Sequence, residues 1–376
     1  MTSSPRIMVA LSGGVDSAVA AWLLVEQGYA VECLHMSNWE DDDGYCDAAT
    51  DLQDARAVCD RLGLKLHRVN FAREYRERVF ADFLSEIRAG RTPNPDVLCN
   101  REIKFGSMLH YARRLGATQL ATGHYARLAR LHGQSTLLKG RDRNKDQSYF
   151  LHAVHTDDLR DVLFPLGDLT KQEVRELAGQ AGLSVSAKRD STGICFIGER
   201  PFAQFLGGFI ESSPGAIVTE AGETVGEHQG LHLYTLGQRK GIGIGGMAAA
   251  EGAPWYVAAK RRGDNELVVV QGHDHPALYC NGIETAPVHW IGPRPESLRR
   301  GVLHCRVKTR YRQADQPCTL SSEAGGPTRV TFDRPQRAVT PGQYAVFYLG
   351  DRCLGGARIL RTVRAEAIDI AAAEAS

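Results

Sequence analysis

The sequence predicts an α/β N-terminal domain with a mostly parallel, doubly wound sheet, followed by two small β-rich modules, the last barrel-like. Three observations carry this. Up to about residue 125, apolar strand candidates alternate with amphipathic helix candidates. A Ser/Gly turn, Ser12-Gly13-Gly14-Val15-Asp16-Ser17, joins the first strand candidate to the first helix candidate. Beyond about residue 210, short β-rich runs broken by Gly, Pro, Asp and Asn replace the helical pattern.

The elements follow in order. Strands are expected at 7–11, 30–36, 65–71 and 119–122, and helices at 17–27, 49–62, 72–89 and 103–115. Helical patterning continues at 171–181 and 201–206. The later β runs are 255–259, 267–270, 301–312, 329–332 and 345–348, and Arg261-Arg262-Gly263-Asp264-Asn265 reads as a hairpin turn. Expected units are 1–209, 210–278 and 279–364, with an Ala/Glu-rich tail at 365–376 that frays.

The Ser/Gly turn is an anion cradle by its chemistry. Helix N-termini carry unpaired N–H groups and a favourable dipole, and glycines let the backbone approach a phosphate closely. Ser12 and Ser17 add hydroxyls, and Asp16 is placed to cap the helix or hold a magnesium ion. No Gly-Lys-Ser/Thr ending follows, which excludes a Walker-type loop. The pattern resembles instead the loop of enzymes that split ATP into AMP and pyrophosphate.

Composition sets the outer bounds. The 376 residues, 43% hydrophobic with net charge +1, are long enough for two or three domains with cores. No apolar run approaches a membrane span or a signal peptide. The nine cysteines (33, 46, 59, 99, 195, 280, 305, 318, 353) include no Cys-x-x-Cys pair, which predicts a cytoplasmic protein with reduced thiols. Cys99 follows the stiff stretch Thr92-Pro93-Asn94-Pro95-Asp96, close to a helix start and near Arg101 and Lys104. Cys195 follows Lys188-Arg189 and a Gly-containing turn.

The surroundings of these two cysteines match one family. Besides the cradle, the chain carries in order Asn94-Pro95-Asp96-Val97-Leu98-Cys99-Asn100, Ala121-Thr122-Gly123-His124-Tyr125, Lys145-Asp146-Gln147-Ser148-Tyr149-Phe150 and Asp190-Ser191-Thr192-Gly193-Ile194-Cys195-Phe196-Ile197-Gly198-Glu199-Arg200. Gly226-Glu227-His228-Gln229-Gly230, Thr235-Leu236-Gly237-Gln238-Arg239-Lys240-Gly241 and Val307-Lys308-Thr309-Arg310-Tyr311-Arg312 follow. From about residue 6 to 360 the chain resembles the bacterial tRNA-uridine 2-sulfurtransferases (tRNA-specific 2-thiouridylases). It departs from them at Ala10-Leu11, where Gly-Met is frequent, and at Ser37, where Lys is common.

The resemblance implies an adenine-nucleotide α-hydrolase-like domain that binds ATP, with Mg2+, through Ala10, Leu11, Ser12, Gly13, Gly14, Val15, Asp16 and Ser17. Met36 and Gly123 would flank the adenosine. Asn94, Pro95 and Asp96 would meet the target base, Asp96 as a proton acceptor or for recognition alone. Cys195 would carry a persulfide, with Cys99 as its partner, whether sulfur passes directly or as hydrosulfide. Lys145, Asp146, Gln147, Arg310 and Tyr311 would contact tRNA at a wobble uridine, and a sulfur-donor protein would reload Cys195. At period two, Arg306, Lys308, Arg310 and Arg312 would share one basic strand face, and Arg141, Arg143 and Lys145 a basic stripe. Other readings are an adenylating amidotransferase-like enzyme with the same loop and a nucleotide-sensing RNA-binding protein. The glycine run 241–246 lacks the strand and helix of a dinucleotide fold and reads as a flexible loop. Residues 41–43 read as a solvated acidic loop. His273 and His275 around Asp274 read as a turn, and no metal site is expected.

Overall fold

In a computed structural model, the protein is described for residues 5–39, 48–131, 133–189, 201–244, 253–322 and 327–364. The N-terminal sheet contains β1 (Arg6–Ala10), β2 (Ala30–Ser37), β3 (Leu66–Asn70) and β4 (Gln119–Ala121). The hairpin β5 (Ala126–Leu131) and β6 (Gln134–Lys139) leaves this sheet, and β7 (Val162–Leu163) returns to it. The strand order β3-β2-β1-β4-β7, parallel throughout, confirms the expected fold class.

The strands bury alternate residues on opposite faces because side chains alternate across a strand. Ile7 and Val9 face a layer of α1 (Val15–Glu26), α2 (Ala48–Leu62) and the Lys171–Gln180 helix. Met8 faces the helical runs 72–88 and 95–114. With β2 on one side of β1 and β4 on the other, the order reverses beside β1. In such sheets this reversal opens a crevice at the carboxyl ends of the strands.

The middle module joins β8 (Gly215–Val218), β9 (Thr224–His228), β10 (Trp255–Arg261) and β11 (Glu266–Gln271) in the order β10-β11-β8-β9. Its β10–β11 turn lies at the predicted position, with Asn265 at φ 53°, a left-handed conformation that Asn tolerates. The last module holds β12 (Tyr279–Thr285), β13 (His289–Trp290), β14 (Val302–Lys308), β15 (Gln316–Ser322), β16 (Thr328–Arg337), β17 (Tyr344–Leu349) and β18 (Arg352–Val363). The order β12-β16-β15-β14-β17-β18, with β18 pairing back to β12, closes a six-stranded antiparallel barrel. The hairpin β5–β6 extends the barrel sheet through Leu138 and Arg352, so the first domain donates strands to the last.

Two expectations need correction. The strand expected at 301–312 ends at Lys308, and Lys308 is buried with its ammonium 3.4 Å from Asp146. Arg306, Lys308, Arg310 and Arg312 therefore do not form one basic strand face; a buried carboxylate draws Lys308 inward. The helix expected from residue 103 begins at Pro95, where proline's fixed φ suits a first helical position. It widens into a π-helical stretch over Cys99–Met108, a geometry frequent at functional sites.

Candidate active site

The Ser/Gly turn lies in the crevice. Leu11 N donates to Leu34 O at 2.9 Å, extending the sheet by one residue, and Gly13 then turns the chain at φ 84°. The Ser17 hydroxyl closes the turn: it accepts from Ser12 N at 3.1 Å, donates to Gly14 O at 3.1 Å, and lies 3.1 Å from Ser12 Oγ. Gly14 is the N-cap of α1 and supplies no side-chain cap. The first N–H groups of α1 have no intrahelical partner. Capping by Asp16 is thereby corrected. Its carboxylate turns away, accepting from Tyr125 Oη at 2.7 Å and from Lys171 Nζ at 2.7 and 2.8 Å.

Close packing fixes the cradle. A Cβ on Gly13 would stand 2.3 Å from Asp51 O on α2. A Cβ on Gly123, just past β4, would stand 2.7 Å from Ser17 N and 2.8 Å from the Asp16 carbonyl carbon. Gly123 is thus the opposite wall of the crevice. Met36, near the carboxyl end of β2, is half-buried and packs on the core. Ala10 and Leu11 lead into the turn, and Val15 is buried at the start of α1.

On the other side of the Gly13 turn, Lys188 Nζ donates to Gly13 O at 3.1 Å, Asp51 Oδ1 at 2.7 Å and Asp54 Oδ2 at 2.5 Å. Burial works against its charge, but the two aspartates outweigh it and raise its pKa. Lys188 begins the approach to Cys195, and Cys195 itself lies outside the described residues. So do residues 41–43, the end of the glycine run at 245–246 and the tail from 365.

The Asn94-Pro95-Asp96 segment is built as a helix start. Asn94 is the N-cap, its side chain accepting from Asp96 N at 3.2 Å, with Pro95 next. Asp96 is half-buried by its exposed area; burial raises its carboxyl pKa, and the charge of Lys104 only partly opposes this. Cys99 is 2% exposed, one turn on, among the core residues of the helical layer. Lys104 acts on a second group, His124 beside Gly123. Burial first, then the Lys104 charge, keeps that imidazole neutral, and its Nδ1 lies 2.7 Å from Thr122 Oγ1. The charge of Lys104 is thus felt by both groups.

All three modules meet at this segment. Thr92 N donates to Pro341 O at 3.0 Å, and Gln343 Nε2 donates to Thr92 O at 2.8 Å, both from the barrel. Thr235 of the middle module brings its hydroxyl to 3.5 Å from that of Thr92. Arg310 donates to Leu236 O at 3.1 Å and also to Ala338 O, bridging the middle module and the barrel.

The segments 145–147 and 310–311 come together. Tyr311 Oη donates to Lys145 O at 3.3 Å, and its ring lies 4.5 Å from that of Phe150. Phe150 O accepts from Asn100 Nδ2 at 3.3 Å, which connects both segments to the residue after Cys99. Within this cluster Asp146 faces inward, 2% exposed, accepting from Gly140 N and Ser148 N at 3.1 Å each and from Lys308. Gln147 Oε1 accepts from Tyr125 N at 2.9 Å. The stripe expected from Arg141, Arg143 and Lys145 carries less free charge than its sequence, because Arg141 pairs with Glu173 and Arg143 with Asp351 at 2.7 Å.

Comparison with known proteins adds the family. Residues 5–199 match the profile described as tRNA methyl transferase HUP domain, residues 203–271 the PRC-barrel domain, and residues 280–359 the aminomethyltransferase β-barrel domain. The protein named tRNA-specific 2-thiouridylase MnmA of Sodalis glossinidius is 56% identical over 93% of this chain and 95% of its own length. The chain belongs to the tRNA-specific 2-thiouridylase family. Proteins of the same name from Salmonella typhimurium (54% identical, 95% of this chain, 97% of that one) and Pseudomonas savastanoi (56%, 93% and 93%) agree. Among solved structures, a 4-thiouridine synthetase–RNA complex with bound ATP aligns at 20% identity over 52% of this chain and 46% of that one. The TM-score of that alignment is 0.34.

Three residues around the cradle and the Asp96 segment were not read as functional from sequence. Lys188 appeared only as a basic neighbour of Cys195, and Lys104 only as a neighbour of Cys99. Lys171 appeared only inside a helix pattern, although Thr170-Lys171-Gln172-Glu173 spells a capping box that the structure forms.

Proposed function

We propose that this chain replaces the C2 oxygen of the wobble uridine of tRNA with sulfur, after activating that oxygen with ATP. The observation that supports it is a phosphate cradle beyond the carboxyl end of β1, walled by Gly123, in the same domain as the Asn94-Pro95-Asp96 helix start, with Cys99 one helical turn further on. The near full-length relatives named tRNA-specific 2-thiouridylase support the reading.

The uracil O2 attacks the α-phosphorus, the bond to the bridging oxygen breaks, and pyrophosphate leaves. The terminal sulfur of a persulfide on Cys195 then attacks C2, and AMP departs with the former carbonyl oxygen. The Cys99 thiolate takes the inner sulfur, either as C2 is attacked or beforehand with release of hydrosulfide. Both routes end in a Cys99–Cys195 disulfide, which an external dithiol reduces. An Asp96 carboxyl that burial holds above the ordinary aspartate range suits uptake of the N3 proton.

Ser12, Ser17 and the orphan N–H groups of α1 fit an ATP polyphosphate. The Asp16 oxygens accept from Tyr125 and Lys171, and the residue is not assigned to a magnesium ion. Mg2+ therefore belongs to the reading as a companion of ATP, with no side chain assigned to it. The sulfur donor is a persulfide-bearing protein and the setting cytoplasmic. Among the described residues no helix is long and apolar enough to cross a membrane.

The test is the ratio of pyrophosphate released to uridine thiolated. Cys99→Ser and Cys195→Ser should each abolish thiolation and keep tRNA-dependent pyrophosphate release. Full thiolation by either variant overturns the relay.

A further inference from the structure

The seam between the first domain and the middle module gathers cations whose partners are carbonyl oxygens. The Ala81–Arg88 helix ends there, and Gly90 follows it at φ 76°. Two cations from β10 and its turn reach the carbonyl end of that helix. Lys260 Nζ donates to Gly90 O at 3.3 Å, and Arg262 Nη2 donates to Arg88 O at 3.0 Å. Arg88 in turn donates to Phe209 O at 3.2 Å. The acids close by are engaged elsewhere: Glu86 pairs with Arg91 and Arg358, and Glu266 with Arg261. Among the described residues, no carboxylate forms an ion pair with Arg88, Lys260 or Arg262. Burial brings the Lys260 ammonium down to about 8, with no neighbouring charge to oppose it.

Helix capping alone does not account for this much charge. The carbonyl end of a helix carries roughly half a negative unit, which one cation answers. Three are present, and Arg88 and Arg262 are exposed. An open aromatic ring adjoins them. Phe209 is 40% exposed, and its ring is held edge-on by Phe80 at 4.8 Å and by Phe205 at 5.3 Å. Cations beside an exposed ring suit a single-stranded nucleic acid, in which phosphate and base alternate along the chain. The place suits it too. Gly90 precedes Asn94 by four residues, at most about 14 Å of extended chain, so the seam adjoins the segment proposed to meet the target base.

Building on the tRNA half of the function proposed above, we infer that this seam binds the anticodon strand beside the target uridine. A phosphate lies on Arg88, Lys260 and Arg262, and a neighbouring base stacks on Phe209. The middle module thereby grips the strand whose uridine the first domain modifies.

The experiment measures binding of an anticodon stem-loop RNA to the full chain over a range of salt concentrations. Arg88→Gln, Lys260→Gln and Arg262→Gln each keep a donor for the carbonyl and remove the charge. Each should weaken the RNA at least about threefold and flatten the log–log salt slope by about 0.7, the share of one single-strand phosphate. Phe209→Ala should weaken it at least about fivefold with the slope unchanged, and Phe209→Tyr should restore binding. ATP affinity should stay within about twofold throughout. Charge removal that leaves RNA affinity and slope intact overturns the inference and leaves a helix cap. Should Lys260→Gln not fold, the exposed Arg88 and Arg262 variants decide the matter. Intact RNA affinity with slower sulfur loading from a donor protein would mark a protein contact and also overturn it. A wild-type chain that does not bind the stem-loop would defeat the tRNA reading itself, whereas wild-type binding that the variants leave unchanged would defeat only this subsite.

Discussion

Gly13→Ala tests the cradle most sharply. The residue sits at φ 84°, where an L side chain costs roughly 1–2 kcal/mol. Its new Cβ would also lie 2.3 Å from Asp51 O, a backbone atom that can move only if α2 moves. Overpacking of that kind typically costs about 1–3 kcal/mol. The sum, about 2–5 kcal/mol, must emerge as lost stability, as lost ATP affinity, or as both. At the low end it corresponds to a roughly 30-fold weaker ATP complex, or to a fall of several degrees in melting temperature. Calorimetric ATP titration and a thermal melt of the same preparation read the two shares. Gly123→Ala is the companion variant: its φ is ordinary, and its Cβ meets Ser17 N at 2.7 Å, so collision acts without backbone strain. A Gly13→Ala chain with wild-type melting temperature and ATP affinity within about twofold would falsify the claim that close packing shapes the loop.

Three further outcomes follow from the geometry. Asp96→Asn should abolish the acid limb of the pH–rate profile for thiolation, and in the wild type that limb should lie above the ordinary aspartate value of about 3.9, because burial raises this carboxyl; a limb at or below that value counts against Asp96 as base. Glu86→Gln should cost about 1.5–3 kcal/mol in urea melts, since Arg91 and Arg358 lose the buried carboxylate they share while Arg358 keeps Asp82 and Arg91 stays partly in solvent. Burial alone would raise the Glu86 pKa, but the two arginines bring it below 4.5. Its stabilisation is therefore complete at neutral pH and is lost as pH falls through that lowered value, so melts of the wild type and of Glu86→Gln should converge in acid. Arg310→Glu should weaken tRNA binding in filter assays, flatten its salt dependence and leave ATP affinity unchanged; intact tRNA affinity would remove Arg310 from the interface.

The first domain was legible because its signals are local. A buried strand, a Gly turn and an amphipathic helix each declare themselves within about a dozen residues, and β1, β2, α1 and α2 lie within two residues of their expected ends. The barrel was legible only in part. β15 and β18 carry polar, arginine and glycine residues whose burial depends on partners far along the chain, and β5–β6 pairs with a strand more than 200 residues later. The same limit explains the site. Gly13, Gly123 and Asp96 belong to recognisable motifs, but nothing near Asp16 announces that an ammonium 155 residues away takes both its oxygens. The period-two charges of 306–312 misled for the converse reason: a local pattern was overridden when Asp146, from the segment 162 residues earlier, drew Lys308 inside.

The central claim is sulfur insertion at one carbonyl of one anticodon base. Mass analysis of nucleosides from tRNA incubated with the full chain, ATP, Mg2+ and a persulfide source measures it directly. The expected result is exchange of a single oxygen for sulfur at C2 of the wobble uridine, with AMP and pyrophosphate formed in equal amounts and no exchange when ATP is omitted. Unchanged uridine in the complete mixture, or sulfur appearing without ATP cleavage, would contradict it.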